Sequence, residues 1–300
     1  MMMFKLRHAL AAFALCLPCV TAALADDAQP TAETRIEEAT LAAQAAIQMG
    51  PRNIDLSDQG VLKLPDGYGF IPRAEALALM DAQGNRSGGP GFFGMVVSQD
   101  LSGFVALEFT PVGHVMDEDA KNWNANDLLK NLREGTETTN ADRRARGLPE
   151  LNVLGWVEIP SYDPQTHRLV WSVSTQPKNT SSSTDGINYN TYVLGREGYF
   201  SVNLVTTLDR LELEKPAARE LLAGLSFNPG KRYSDFNAAT DRTAEYGLAN
   251  LVEGSSAKKA GLLAATGGFV AKFWLLGLLA IAGGGLGAAK IMHRRKNSVA

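Results

Sequence analysis

The chain has 300 residues, 45% hydrophobic and 20% charged, with a formal net charge of -3. That composition excludes a disordered chain. The charge lies in blocks: residues 1–25 carry +2, residues 26–257 carry 20 Lys+Arg against 32 Asp+Glu, and residues 258–300 carry +7. The acidic middle excludes a nucleic-acid binder that works through a broad basic face, and such unlike blocks point to segments with different destinations.

Residues 1–25 read as a secretory signal. Lys5, Arg7 and His8 form a basic start, Ala9 to Val20 an apolar run about 18 Å long as a helix, and Ala23-Leu24-Ala25 a cleavage site. The competing reading is a buried N-terminal helix. Cys16 and Cys19, the chain's two cysteines, lie inside this segment, and neither follows a small residue as a lipid anchor requires. A mature chain would therefore have no disulfide, thiolate metal site or cysteine nucleophile.

Residues 26–252 read as one exported domain. Thr34 to Glu37 has the form of a capping box, with Ile36, Ala39, Ala43 and Ile47 on one helical stripe. Short extended pieces follow at Ile54–Leu56 and Val61–Leu64, and Pro72 opens a helix through Met80. Phe92 to Ser98 and Gly103 to Thr110 are strands around a tight turn. A polar helix spans Asn126 to Arg146. Four strands then form a meander at 151–159, 167–175, 187–194 and 199–206, the last alternating Phe200, Val202 and Leu204 with Ser201 and Asn203. Pro216 opens a helix carrying Leu221, Leu222 and Leu225, and a last helix runs from about Thr240 to Val252. The expected class is α+β, a largely antiparallel sheet of five to seven strands with helices packed on one face, plus one C-terminal transmembrane helix.

Residues 253–271 are rich in small residues and read as a stalk or as a segment on the membrane surface. Residues 272–292 read as a transmembrane helix, because Phe273 to Ala289 holds no charge and spans about 26 Å as a helix. A core helix is the alternative. Lys272, Trp274 and Lys290 suit the interface, and Arg294, Arg295 and Lys296 in the tail, residues 293–300, place that end in the cytoplasm. Gly283 and Gly287 have the spacing that lets two helices approach closely in lipid, hence self-association.

LPDGYGFIP (64–72), GWVEIPSYDPQTHRLVWSVS (155–174), YNTYVLGREGYFSVNLVT (189–206) and the block from Leu221 to Val252 resemble a bacterial family of membrane-anchored proteins known only as a domain of unknown function. The likeness covers about residues 34–290. It implies an envelope location with one C-terminal anchor, and supplies no activity, cofactor or catalytic residue.

The candidates for chemistry are few. His114 and His167 are the two histidines of the exported domain, and no close-spaced pair exists. Asp117 and Asp119, with Glu118 and Asn122 to Asp127, form the densest oxygen cluster. They read as a helix cap, with weak cation binding as the alternative, because no EF-hand register fits. Glu108 and Glu158 lie mid-strand and would be an acid/base pair if both faced one cleft, against the plainer reading of edge or ion-paired side chains. Arg143, Arg144 and Arg146 read as dipole partners at a helix end, or as an anion or partner site. Trp156, Trp171, Tyr189, Tyr192 and Tyr199 are core or cross-strand rings, or a ligand platform. The S-x-x-K pairs at Ser255 and Ser256 lack their companion motifs. The expectation is a single-span protein of the bacterial inner membrane, its acidic domain in the periplasm, binding an envelope protein partner or organising the envelope. No cofactor, metal or nucleic acid is expected. The alternative is a tethered hydrolase or transferase on an envelope polymer, acting through Glu108 and Glu158.

Overall fold

The structure, a computed structural model, describes residues 31–84, 88–179 and 185–253. The signal, stalk, span and tail, with Lys272, Trp274, Gly283, Gly287, Lys290, Arg294, Arg295 and Lys296, lie outside them. Among the described residues no helix is long and apolar enough to cross a membrane.

The chain runs α1 (Ala32–Ala46), β1 (Gln48–Met49), β2 (Arg52–Leu56), β3 (Gly60–Leu64), β4 (Tyr68–Pro72), α2 (Arg73–Ala82), β5 (Phe92–Ser98) and β6 (Phe104–Thr110). It continues with α3 (Ala125–Ala145), β7 (Leu151–Asp163), β8 (Arg168–Pro177), β9 (Gly186–Leu194), β10 (Tyr199–Thr207), α4 (Leu211–Gly224), β11 (Leu225–Phe227) and α5 (Leu248–Glu253). Eight strands form one sheet in the order β1-β4-β5-β6-β10-β9-β8-β7, and β11-β3-β2 form a second. Every pairing between these strands is antiparallel.

The class is thus α+β around a large antiparallel sheet, but both faces of that sheet are covered, not one. On one face the small sheet and α4 pack Leu56, Leu62, Leu64, Leu221 and Leu222 onto Val105, Leu107, Phe200, Val202 and Leu204. This is the apolar set of the alternation in β10. On the other face α1 and α2 bring Ala43, Leu79 and Met80 onto Phe92, Met95 and Phe104. Further across that face, α3 and α5 bring Leu128, Leu132, Leu248 and Leu251 onto Leu169, Trp171 and Tyr192. The sheet is too wide for one helix pair, and the sequence divides the helices accordingly.

Local chemistry explains where several elements begin and end. Helix α1 starts earlier than the Thr34 motif suggests, because the Thr31 hydroxyl accepts from the Thr34 amide at 3.2 Å. Asn124 caps α3 through the amides of Asn126 and Asp127. Pro216 stands inside α4, which begins at Leu211. The final helix is shorter than expected, since residues 240–247 are loop. On α3, Asn140 is fully buried and bonds both the amide and the carbonyl of Leu151 at 2.8 Å, standing in for a neighbouring strand at the edge of the sheet.

Candidate functional site

Between β11 and α5 lie twenty residues, 228–247, with only a three-residue 3-10 turn at Tyr233–Asp235. Loops of this length are usually functional, and this one is held closely. Arg196, in the β9–β10 turn, grips Asp241 by two bonds, Nε to Oδ2 at 2.6 Å and Nη2 to Oδ1 at 2.7 Å. The Asp241 carboxylate also accepts from the amide of Asn237 at 2.8 Å. The Arg196 bonds first, then that amide, hold its acid well below the usual range. The His114 amide donates to the Arg242 carbonyl and the Ala244 amide to the His114 carbonyl, each at 2.8 Å. Gly113, at φ +93°, permits this approach, because a Cβ there would lie 2.6 Å from the Arg242 oxygen.

The pinned loop completes a stack of four rings. Phe236 lies on His114 at 3.8 Å between centroids and 10° between planes. Tyr233 lies 4.2 Å from His114 and 4.2 Å from His167. The order is Phe236, His114, Tyr233, His167. His114 is buried, and burial lowers its pKa from 6.5; its Nδ1 is enclosed without a hydrogen-bond partner. His167 is half-buried at the β7–β8 turn with φ +51°, a left-handed conformation that few side chains adopt. The Tyr162 hydroxyl donates to Asp117 Oδ2 at 2.7 Å and lies 3.3 Å from His167 Nδ1. With its one proton given to Asp117, the phenol accepts from Nδ1–H. Nδ1 of His167 therefore carries a proton in this arrangement. Burial, then the Asp117 bond, raises the Tyr162 phenol, and burial, then the Asp117 and Glu118 charges, raises that of Tyr233. The Tyr233 hydroxyl donates to the Val115 carbonyl at 2.9 Å. The result is a half-exposed rim of oriented rings with an imidazole and a carboxylate, suited to binding a surface that brings polar and apolar contact.

A second polar constellation is enclosed. On the face shared by the two helix pairs, strand register sets Glu108 opposite Ser201 and Asn203 opposite Asn190. With Asn188 these make a contiguous patch between the two apolar clusters, and all five are buried. The Asn203 amide donates to Asn188 Oδ1 at 3.1 Å and the Asn190 amide to the Asn188 carbonyl at 3.1 Å. Burial first, with a smaller push from the Glu108 charge, raises the nearby Tyr192 and Tyr199 phenols.

The other predicted residues are dispersed. Glu158 pairs with Lys215 of α4 at 3.0 Å. Since α4 covers the Val105 face and Glu108 points to the opposite one, the two carboxylates do not share a cleft. Asp117 receives Tyr162, whereas Asp119 accepts from the amides of Leu248 and Ala249 at 3.1 and 2.9 Å and so caps α5. Among the described residues no three His, Cys, Asp or Glu are grouped to hold a metal. Arg143 is buried, with its Nε on the Pro149 carbonyl at 2.6 Å, and Arg144 meets Glu150 at 2.9 Å, so both tie the end of α3 to the start of β7. Trp171 meets Trp156 edge to face at 6.1 Å, and Tyr192 meets Tyr199 at 5.1 Å. Tyr189 packs on the opposite face with Phe200 and Leu204, so the five aromatic residues form no single platform. The pairing of His114 with His167 had one sequence signal, a histidine at a tight hairpin turn where glycine is usual.

The chain belongs to a protein family of unknown function, DUF2167, which it matches over residues 48–282. No functionally curated protein matches it. Among solved structures it is similar to PsbP (CyanoP) of the cyanobacterium Synechocystis sp. PCC 6803, at 10% identity and a TM-score of 0.35, over 61% of this chain and 94% of that one.

Proposed function

We propose that this protein is exported, is retained on the outer face of a bacterial inner membrane by residues 272–292, and works there by binding an envelope protein partner. The acidic domain faces the periplasm, the basic tail, residues 293–300, the cytoplasm. The observation that carries the binding reading is the twenty-residue loop, fixed by Arg196 and Asp241, that sets Tyr233 and Phe236 against His114 and His167 at a half-exposed rim. An ordered loop of this length, held by a bidentate ion pair, is a scaffolded recognition surface rather than a connection. The tether rests on the uncharged run from Phe273 to Ala289 and the basic residues after it. The separation of Glu108 from Glu158 removes the motive for a carboxylate-pair hydrolase.

Two measurements in intact cells test this. Removing residues 272–300 should release the domain into the periplasmic fraction; continued sedimentation with membranes overturns the tether. Crosslinking of the full chain should trap a partner adduct that the Tyr233→Ala and His167→Ala variants lose while remaining folded. An adduct indifferent to both overturns the assignment of the rim.

A further inference from the structure

Residues 228–247 close over one ionisable ring. His114 is 4% exposed, and the two rings stacked against it, Phe236 and Tyr233, both belong to the loop. Its backbone pairs with Arg242 and Ala244 of the same loop. The enclosure suits the neutral ring. A neutral imidazole can leave Nδ1 bare, whereas an imidazolium carries an N–H on both nitrogens. Nδ1 of His114 is enclosed without a hydrogen-bond partner, so protonation in place buries a donor that has no acceptor. The nearby carboxylates are committed elsewhere: Asp117 accepts from Tyr162, and Asp241 is gripped by Arg196. Burial, the largest influence, disfavours the charged ring, and His167 beyond Tyr233 opposes it further. The Asp117 charge, the Gly195 backbone and the Asp241 charge favour it, as do the faces of the two stacked rings, but the balance stays on the neutral side. The charged ring is relieved only where water reaches Nδ1, and that requires Tyr233 and Phe236 to move away.

We propose that His114 is a proton-sensitive latch on the rim: a proton taken from water onto Nδ1 expels the ring from the stack, releases residues 228–247 and removes Tyr233 from His167. The release follows from the stack alone; that it switches docking off rests on the rim being the partner surface.

The test is amide hydrogen exchange on the full-length protein in detergent, from about pH 7.5 to about pH 5, with rates corrected for their intrinsic pH dependence. Closure is full above pH 6.5, and as the pH falls below it the open form takes the proton that the closed form refuses. The opening constant of residues 228–247 should rise by about tenfold per pH unit until the closed-state pKa is reached, while β9 and β10 keep their protection. His114→Phe, which keeps a ring in the stack, and His114→Gln, which does not, should both remove the rise, and His167→Gln should retain it. The proposal is overturned if wild-type loop protection is unchanged over this range, if the rise survives in both His114 variants, or if it is lost in His167→Gln. No partner is present in this assay, so its failure leaves the rim reading standing. In intact cells the rim adduct should fade at about pH 5 in the wild-type protein and persist in His114→Phe. An adduct that persists at a pH where exchange shows the loop open overturns the rim reading and leaves the latch standing.

Discussion

The two faces of β10 are equally buried and differently made. Phe200, Val202 and Leu204 look toward α4 and the small sheet, in an apolar cluster whose rings interlock: Phe200 lies 5.1 Å from Phe109 and 4.9 Å from Phe227. Ser201 and Asn203 look the other way, into the polar patch that parts the two remaining clusters. The first face holds the fold by area removed from water. The second spends part of that stability on polar groups that packing alone does not satisfy. In a sheet covered on both faces, stability alone favours apolar residues on both, so the difference marks where this fold departs from what stability requires.

The largest expected effect breaks or upholds that contrast directly. Phe200→Ala should cost about 3–5 kcal/mol in urea unfolding, with an unchanged slope, because it opens a cavity among Phe93, Phe109 and Phe227. Asn140→Ala comes next, at about 2–4 kcal/mol, since it leaves the amide and carbonyl of Leu151 buried and unpaired. Hydrogen exchange at Leu151 should quicken with it. Arg196→Ala should act locally, exposing residues 228–247 to limited proteolysis while the sheet stays protected, because Asp241 then loses the clamp that holds the loop.

The pH dependence is smaller. The folded pKa of His114 lies below 6.5, so the unfolded chain binds the proton more readily. Stability is full above pH 6.5 and falls as the pH drops below it toward the folded value. His114→Phe should flatten that slope. The smallest effect is the sharpest comparison. Asn203→Leu, three residues from Phe200 and as deeply buried, should change stability by no more than about 1 kcal/mol, because loss of the unpaired Asn203 Oδ1 offsets loss of the amide's bond to Asn188 Oδ1. A cost equal to that of Phe200→Ala would mean the two faces contribute alike.

The sequence made some of this legible and hid the rest for physical reasons. Strands β5, β6 and β8 to β10 are recognised within two residues because alternation and β-branched content are strong there. Strand β4 is missed: Tyr68-Gly-Phe-Ile-Pro is buried at four of its five positions, so it does not alternate, and it ends on proline. The second covered face is missed because α4 and the small sheet approach from segments far apart in the chain. The proposed pairing of Glu108 with Glu158 fails through β7, whose register shifts between Val153 and Ser161 break the two-residue rule that assigns side chains to faces. The rim is hidden most thoroughly. Its two histidines come from a loop and a hairpin turn, and Tyr233 of a third segment stacks between them.

The most direct test of the account places a photo-crosslinking residue at Met116, exposed beside Asp117, and at Leu41, exposed on α1, in the full-length protein in intact cells. A discrete adduct is expected from Met116, absent from Leu41 and lost when Arg196→Ala frees the loop. Adducts from both positions alike, or from Leu41 alone, would contradict it.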